Sequence, residues 1–349
     1  MSDIDSAALE TLLLPLLQGT LPMPDQITFL RARYGAPLQT LGPARFICEQ
    51  SFKPDADALE RAGFNVAPEV SPSNQQHSLT LVLPPRQRDE ARALLARAVN
   101  TTGANGRVVV AAGNNAGARS LESDLIELTG PVISQSKNKC RVFWTAPLAE
   151  TQVNSELVQQ WRALDAPRAI LDGRFISRPG IFAWDRVDVA SQLLVAQLPP
   201  GLAGHAADLG TGFGYLAVEL LQRCPGITSL DLYEAEARAL DLARENLQAI
   251  ADRVEINSYW HDVTAGLSNS YDVIVSNPPF HSSSGADDPG LGRRFIAAAA
   301  RALNPGGRFW LVANRHLPYE NILNASFGHV RIAAQQYGFK IIEATRGRS

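Results

Sequence analysis

The segment A-A-D-L-G-T-G-F-G-Y-L-A-V-E-L-L at 206–221 joins a short apolar run, a glycine-rich turn and an apolar helical pattern. Glycines permit a tight turn from strand to helix, and they let a ligand approach the free N–H groups at the helix start. The next predicted strand ends in Glu234, where a carboxylate can accept hydrogen bonds from both hydroxyls of a ribose. Asp262 stands in a similar place after the third strand. The segment therefore predicts an α/β domain with a nucleoside cofactor at the carboxyl edge of a parallel sheet.

The rest of the second half fits this architecture, because short apolar runs alternate with helical patterns. A helix is predicted over 290–303, and N-P-G-G at 304–307 is a stop signal before the next strand. Strands are predicted at 204–209, 228–234, 253–258, 271–276, 307–313 and 338–344.

The first half repeats this order of elements. L-T-L-V-L-P-P-R at 79–86 leads to a helical pattern over 89–99 and an apolar strand at 107–114, much as Y-D-V-I-V-S-N-P-P-F at 271–280 leads to its own helix and strand. The alignment pairs Pro84 with Pro278 and Arg107 with Arg308. It predicts two tandem α/β copies, at 1–155 and 156–349, with a helical connector near 150–167. The alternative is that two unrelated α/β domains share this punctuation by chance.

The two copies differ where the second one carries its motifs. The first copy has Leu83 where the second has Asn277, and it has no glycine cluster near its start. We therefore expect the first copy to have kept the scaffold and lost the site.

Composition excludes several classes of protein. The chain is 45% hydrophobic and 19% charged, as expected of a globular protein, and its net charge of −3 argues against binding nucleic acid through bulk positive charge. The three cysteines are scattered, which indicates neither a zinc site nor a disulfide framework. The acidic N-terminus and the short apolar run at 12–17 do not resemble a secretion signal or a membrane span. We expect a cytoplasmic protein without a membrane or metal partner.

The loop S-N-P-P-F-H at 276–281 suits a planar amine as substrate. Two consecutive prolines have no N–H to donate, so the loop mainly offers acceptors. If the Asn277 side-chain oxygen and the Pro278 carbonyl each accept one amino hydrogen, the nitrogen lone pair turns toward a methyl donor. Phe280 would stack on the base. His281 could take the released proton, or it could be a packing residue. The alternative for this loop is a stiff turn under a core phenylalanine.

The glycine turn distinguishes between cofactors. The dinucleotide pattern G-x-G-x-x-G is met only in part, because the glycines are Gly210, Gly212 and Gly214 and position 215 is Tyr. With Asp208 in front, the turn resembles the D-x-G-x-G-x-G loop of the S-adenosylmethionine-dependent methyltransferases. A glycine turn alone is weak evidence, and a purely structural turn is the alternative.

Together these motifs resemble the RsmC/RlmG family of ribosomal RNA guanine-N2 methyltransferases. The likeness also includes P-G-I-F at 179–182 and D-V-A-S-Q-L-L at 188–194. It covers most of the second half strongly, and the first half only in layout. The fold it implies is two tandem Rossmann-like S-adenosylmethionine-dependent methyltransferase domains, each with a mostly parallel seven-stranded-type sheet flanked by helices, the N-terminal copy being degenerate and serving as a scaffold or in RNA recognition.

The resemblance also implies roles for individual residues. Asp208 and the three glycines would line S-adenosylmethionine, with Glu234 on its ribose and Asp262 near its adenine. Asn277, Pro278 and Phe280 would receive the guanine, and Asn277 would also lie beside the cofactor. The implied partner is ribosomal RNA within a small subunit or an assembly intermediate. The target guanine in that RNA would have to be unpaired. Asp262 departs from relatives that carry Asn at this position.

Other functions share some of these motifs. Methyltransferases acting on adenine N6 or on a glutamine amide also use N-P-P-F/Y, since both substrates offer a planar NH₂. A non-enzymatic alternative is an RNA-binding assembly factor in which both copies are inactive, and an NAD-dependent oxidoreductase would leave the proline loop without a task. Candidates for phosphate contacts, each of which could instead lie on a solvated helix face, are Arg86, Arg88, Arg92, Arg97, Lys137, Lys139, Arg141, Arg293, Arg294, Arg346 and Arg348.

Overall fold

A computed structural model describes residues 3–70, 77–279 and 289–348 of the chain. The chain divides into two compact units, one ending at Ala166 and one beginning at Pro167. The expected boundary after residue 155 falls earlier than this division. The connector helix Ser155–Arg162 packs with the first unit, because its Val158 and Trp161 are buried in that unit's core.

The first unit consists of a seven-stranded sheet flanked by helices. Its strands are β1 Ile27–Leu30, β2 Phe46–Glu49, β3 Asn65–Ala67, β4 His77–Val82, β5 Thr102–Gly113, β6 Val132–Lys137 and β7 Cys140–Thr145. Its helices are α1 Asp3–Leu17, α2 Ala36–Thr40, α3 Lys53–Arg61, α4 Arg88–Thr101, α5 Ala118–Thr129 and α6 Ser155–Arg162.

The second unit contains a small antiparallel pair of strands and a second seven-stranded sheet. Its strands are β8 Arg168–Ile170, β9 Phe175–Ser177, β10 Ala203–Leu209, β11 Gly226–Glu234, β12 Glu255–Trp260, β13 Tyr271–Ser276, β14 Leu303–Asn314, β15 His329–Gln336 and β16 Phe339–Thr345. Its helices are α7 Val189–Gln197, α8 Tyr215–Arg223, α9 Ala237–Leu247, α10 Pro289–Ala302 and α11 Glu320–Ser326.

The two large sheets have the same topology. The strand orders are β3-β2-β1-β4-β5-β7-β6 and β12-β11-β10-β13-β14-β16-β15. In each sheet the strand next to one edge, β7 or β16, runs antiparallel to both of its neighbours, and all other neighbouring strands are parallel. The predicted fold and the predicted repeat are therefore confirmed. The strand register also supports the sequence alignment, since Leu79 pairs with Arg107 as Val273 pairs with Arg308. Counting on from these pairs, Leu83 occupies the position of Asn277.

Both faces of each sheet are covered, which explains the continuous apolar runs of the central strands. In the second unit, Val273 and Val275 of β13 point into one core while Ile274 points into the other, as the two-residue period of a strand requires. Burial of both faces fixes the strand register and hence the place where each strand ends.

The edge strand β15 was not predicted from the sequence, although the other edge strand of the same sheet, β12, was. β15 carries mostly exposed and polar side chains, so it lacks the apolar run by which the central strands were found. In the first unit, β6 and β7 form a hairpin that turns at Asn138 and Lys139, both with positive φ. None of the helices within the described ranges is long and apolar enough to cross a membrane.

Candidate active site

The glycine loop connects β10 to α8 and depends on the freedom of its glycines. Gly210, Gly212 and Gly214 have φ values of 74°, 58° and 91°, in the left-handed region that L side chains rarely adopt. At Gly214 a Cβ atom would also come within 3.1 Å of the Cα atom of Ala243 in α9. The space beside Gly212 is open, because a Cβ there would meet nothing within 4 Å. The loop thus packs tightly against the helix at one end and leaves its middle accessible to a ligand.

Asp208 holds this loop through a hydrogen bond to Thr211. Its side chain is fully buried near the end of β10, and its Oδ2 accepts a hydrogen bond of 2.8 Å from the Thr211 hydroxyl. Burial, with a smaller contribution from the nearby Glu234 carboxylate, raises the pKa of the Asp208 carboxyl to about 7 against the opposing effect of the Thr211 hydrogen bond. The geometry gives Asp208 a role in shaping the loop, and its direct contact with a cofactor stays a prediction.

Glu234 ends β11 and is held by backbone amides. Its Oε2 accepts from the N–H of Gly212 at 2.8 Å, and its Oε1 accepts from the N–H of Glu236 at 2.9 Å. Burial raises the pKa of Glu234, and these amide bonds oppose that shift. Each carboxylate oxygen has two lone pairs, so each can still accept a hydroxyl hydrogen after bonding one amide. The arrangement suits the predicted contact with a ribose diol.

Asp262 follows β12 and is engaged locally. Its Oδ1 accepts from the N–H of Thr264 at 2.8 Å and its Oδ2 from the Thr264 hydroxyl at 2.9 Å, which caps a short turn at Val263–Ala265. The residue does stand at the carboxyl edge of the sheet, as predicted. Its proposed reach toward an adenine amino group stays a prediction.

Asn277 directly follows β13 and faces α7. Its side-chain Nδ2 donates to Asp188 Oδ2 at 2.9 Å and to Ser191 Oγ at 2.8 Å. A carboxylate oxygen can only accept, so the amide nitrogen must be the end that faces Asp188. The amide oxygen of Asn277 is therefore the end available to a substrate.

A cavity brings part of the predicted site together. Gly210 and Gly212 of the loop and Asn277 of the proline segment line the same hollow, although they lie some distance apart in the sequence. The remaining lining residues come from the loop and the start of α8, and from the segment before α7 and its first turn: Thr211, Phe213, Tyr215, Leu216, Phe182, Ala183, Asp188 and Ser191. Asp208, Gly214, Glu234 and Asp262 lie outside the lining, Glu234 being one hydrogen bond from it through Gly212.

The proline segment is only partly described. Pro278 is buried and Pro279 is exposed. Phe280 and His281, which were expected to stack on a base and to accept a proton, lie outside the described residues. Their roles, and that of the Pro278 carbonyl, stay predictions.

Several of the arginines suggested as phosphate contacts bond to acids of their own unit. Arg88 and Arg92 both bond to Asp124 Oδ1, at 2.9 and 3.0 Å. Arg97 bonds to Glu49, and Arg141 to Glu122. These ion pairs give the four arginines a structural role within the first unit.

Sequence reasoning assigned no role to Asp188, Ser191 or Phe182. The spacing of Asp188 and Ser191 does match an N-cap with its partner three residues later, which predicts the start of α7. That pattern carries no information about Asn277, which is remote in sequence. Phe182 is 69% exposed although it lines the cavity, and an exposed aromatic side chain cannot be recognised from the sequence alone.

Comparisons with known proteins agree with this geometry. Residues 172–343 match the family model described as the Methyltransferase small domain. Ribosomal RNA small subunit methyltransferase C of Vibrio cholerae serotype O1 is 30% identical over 269 residues, which is 77% of each chain. The protein of the same description from Escherichia coli O17:K52:H18 is 30% identical over 265 residues, covering 76% of this chain and 74% of that one.

A solved structure has the same fold over nearly the whole chain. It is the T. thermophilus 16S rRNA N2 G1207 methyltransferase, RsmC, in complex with AdoMet and guanosine. The TM-score is 0.77 at 24% identity, over 95% of this chain and 91% of that chain.

The doubled sheet, the glycine loop and the proline segment at neighbouring strand ends define a Rossmann-like methyltransferase with two tandem domains. With the identity and coverage given above, the chain belongs to the ribosomal RNA small subunit methyltransferase C family.

Proposed function

We propose that this protein transfers a methyl group from S-adenosylmethionine to the exocyclic N2 amino group of a guanine in small-subunit ribosomal RNA. The observation that carries the proposal is the place of Asn277, which shares one cavity with Gly210 and Gly212 and turns its amide nitrogen away toward Asp188. An acceptor oxygen is thereby available to an amine next to the glycine loop. This arrangement suits methyl transfer to an NH₂ group, and it offers nothing to hydride transfer.

The residues present fit the methyl donor. Gly212 leaves open space beside the backbone, and Glu234 is held by two amides with lone pairs to spare for a ribose diol. S-adenosylmethionine supplies an electrophilic methyl carbon on a sulfonium. The loop Gly210–Gly214 would hold the nucleoside and Asp262 would lie near its base, while Asp208 fixes the loop through Thr211.

The chain's remaining task is to orient the amine. The lone pair of a guanine amino group is conjugated into the ring, so the nitrogen is a poor nucleophile. Acceptance of one hydrogen by Asn277 Oδ1 and of the other by the Pro278 carbonyl would turn that lone pair toward the methyl carbon. Orientation of this kind contributes substantially to the rate of a bimolecular displacement. Phe182 beside the cavity offers an aromatic face for the base, and Phe280 would offer a second one.

The RNA must present the guanine outside a helix stack, because an N2 amino group within a paired stem cannot enter such a cavity. The T. thermophilus relative carries guanosine with AdoMet, which supports guanine as the acceptor here. We propose an assembling small subunit in the cytoplasm as the partner, the second unit as the catalytic domain and the first as a scaffold that contributes to RNA recognition.

The test is nucleoside mapping of ribosomal RNA from cells that lack the protein. One N2-methylguanine in small-subunit RNA should disappear, wild-type protein should restore it, and Asn277→Ala should not, although purified Asn277→Ala binds S-adenosylmethionine normally by calorimetry. Loss of an N6-methyladenine or of a methylated glutamine instead would contradict the guanine acceptor. A wild-type protein that fails to bind S-adenosylmethionine would contradict the enzymatic function as a whole.

A further inference from the structure

The two ends of the Asn277 side chain differ in chemistry but hardly in shape. The amide oxygen accepts hydrogen bonds and the amide nitrogen donates them, so a half-turn of the group would present the wrong end to an amine. An amine meeting the Nδ2 group would face a donor with its own donors. Something in the protein must therefore choose the orientation of this amide.

Asp188 makes that choice through a single oxygen. Its Oδ2 accepts from Asn277 Nδ2 at 2.9 Å, and an ionised carboxylate can make no bond to the amide oxygen. Ser191 Oγ lies 2.8 Å from the same Nδ2. A half-turn of the amide would break the bond to Asp188 and set oxygen against oxygen there, whereas the Ser191 hydroxyl could rotate and donate to the amide oxygen, so Asp188 decides the orientation.

The two residues are themselves held by helix α7. Asp188 is the N-cap of that helix, and the same Oδ2 accepts from the Ser191 N–H at 2.8 Å and from the Ser191 hydroxyl at 3.1 Å. Asp188 and Ser191 thus lie at the two ends of one capping turn. The helix itself is anchored, because its Leu193 and Leu194 are buried in the core of the second unit. The acceptor that faces Asn277 is fixed to a packed helix rather than to a mobile loop.

We propose that Asp188, assisted by Ser191, is a positioning residue that sets the amide of Asn277 with its oxygen toward the substrate amine. The inference rests on the proposed function, since it gives the orientation a purpose in methyl transfer. It assigns chemistry to the D-V-A-S segment at 188–191, whose resemblance to relatives says nothing of its role.

Removal of the acceptor should slow chemistry without weakening either ligand. For Asp188→Ala we expect kcat to fall by roughly 10- to 100-fold, the effect of a small misplacement of a reacting group, while KM for RNA and the affinity for S-adenosylmethionine stay within a few fold. Ser191→Ala removes one of two contacts and should have a smaller effect. Asp188→Asn can place its amide oxygen where Oδ2 lies, so it should retain most of the activity.

Loss of a helix cap needs its own control. Asn154 caps α6 in the same manner, accepting from the Leu157 N–H at 3.0 Å. Asn154→Ala should lower the melting temperature about as much as Asp188→Ala and leave kcat unchanged. Equal losses of kcat in these two variants would assign the Asp188 effect to stability and overturn the proposal.

One variant and its double variant, which create and then remove a repulsion between two carboxylates, distinguish a positioning role of Asp188 from a role as a helix cap. Asn277→Asp sets a carboxylate against Asp188, and repulsion should displace it and remove activity even though an acceptor remains. Adding Asp188→Asn removes the charge repulsion and lets the new amide turn its nitrogen toward the new carboxylate, at the expense of the cap. The double variant should therefore have a kcat about tenfold above that of Asn277→Asp alone, a coupling of the size that directly touching residues show. A cap role predicts no such recovery, and its absence would overturn the proposal.

A spectroscopic readout does not depend on turnover. The NMR signals of the Asn277 side-chain amide can be identified by their loss in Asn277→Ala. Their chemical shifts should change in Asp188→Ala and in Ser191→Ala and stay unchanged in Asn154→Ala. Unmoved signals with wild-type kcat in Asp188→Ala would refute the positioning role and leave the proposed function standing. Full activity of Asn277→Ala would refute the proposed function itself.

Discussion

The two copies of the sheet carry different residues at matching places. Gly210 is matched by Arg31, which keeps the left-handed backbone at φ 56° and reaches the carbonyl of Leu83 through its Nη1 at 3.4 Å. Since Leu83 matches Asn277, the arginine crosses the region that the cavity occupies in the second copy. The loop length is unchanged, because Arg31–Gly35 and Gly210–Gly214 both lead directly into a helix.

The acidic residue at the end of the second strand of the site, Glu234, is also replaced in the first copy. Phe29 pairs with Cys48 as Asp208 pairs with Leu232, so Gln50 and Glu234, each two residues further on, occupy matching positions. Gln50 Oε1 accepts from the N–H two residues on, as Glu234 Oε1 does, but its Nε2 donates to the Ala32 carbonyl at 2.6 Å. An acceptor has thus become a donor. The fold thus places the strand ends together, and a few side chains decide whether that edge is a site.

Transplanting Arg31 into the second copy should have the largest effect. In Gly210→Arg the side chain should fill the cavity and reach the carbonyl of residue 277, so that binding of S-adenosylmethionine becomes undetectable by calorimetry. Gly19→Arg is the control for backbone strain, since Gly19 has φ 70° and open space around it. Binding by Gly210→Arg at the wild-type affinity would contradict the comparison.

Placing the glutamine of the first copy at position 234 should weaken the binding of S-adenosylmethionine less than Gly210→Arg does. Glu234→Gln removes one acceptor and turns a donor toward the ribose and the Gly212 N–H, and hydrogen bonds to charged groups contribute about 1.5–3 kcal/mol. We expect the Kd for S-adenosylmethionine to rise by roughly 10- to 100-fold, measured by calorimetry. Glu236→Gln, whose carboxylate bonds to Arg238, is the matched control and should bind normally.

Asp208 gives a prediction about pH, since the first copy has the buried Phe29 at the same register. An acid whose pKa rises from 3.8 to about 7 on folding keeps its proton in the folded state and loses it in the unfolded state. Its contribution to stability therefore falls as pH rises from about 4 to 7, by up to ~1.4 kcal/mol per pH unit.

Asp208→Asn lacks this titration. The free energy of unfolding of the variant, measured in urea, should rise relative to the wild type between pH 5 and pH 7.5. A constant difference between the two proteins across that interval would show that Asp208 titrates normally.

The reverse substitution, which places the glycine of the second copy in the first, should change the binding of S-adenosylmethionine least. Arg31→Gly opens the loop of the first copy but leaves Gln50 and Leu83 in place. We expect one molecule of S-adenosylmethionine per chain in both the wild type and the variant, determined by calorimetry. A second binding site in the variant would mean that a single side chain, rather than the whole edge, separates the copies.

The fold was largely predictable from the sequence because burial of both sheet faces leaves apolar runs at regular spacing. The places of the glycines and of Glu234 in the fold were predictable for the same reason, since each lies at a strand end. The edge strand β15 was missed, as its exposed residues carry no such pattern. The link between Asp188 and Asn277 was also out of reach, because it joins a helix cap to a strand end across 89 positions.

The central claim is that Asn277 orients an amine beside the glycine loop. The most direct test is single-turnover methyl transfer by Asn277→Ala to small-subunit RNA from cells lacking the protein, with S-adenosylmethionine saturating. We expect a rate lower by on the order of 100-fold, the typical cost of losing one oriented polar contact to the reacting group, with unchanged cofactor affinity. A variant that transfers the methyl group at the wild-type rate would contradict it.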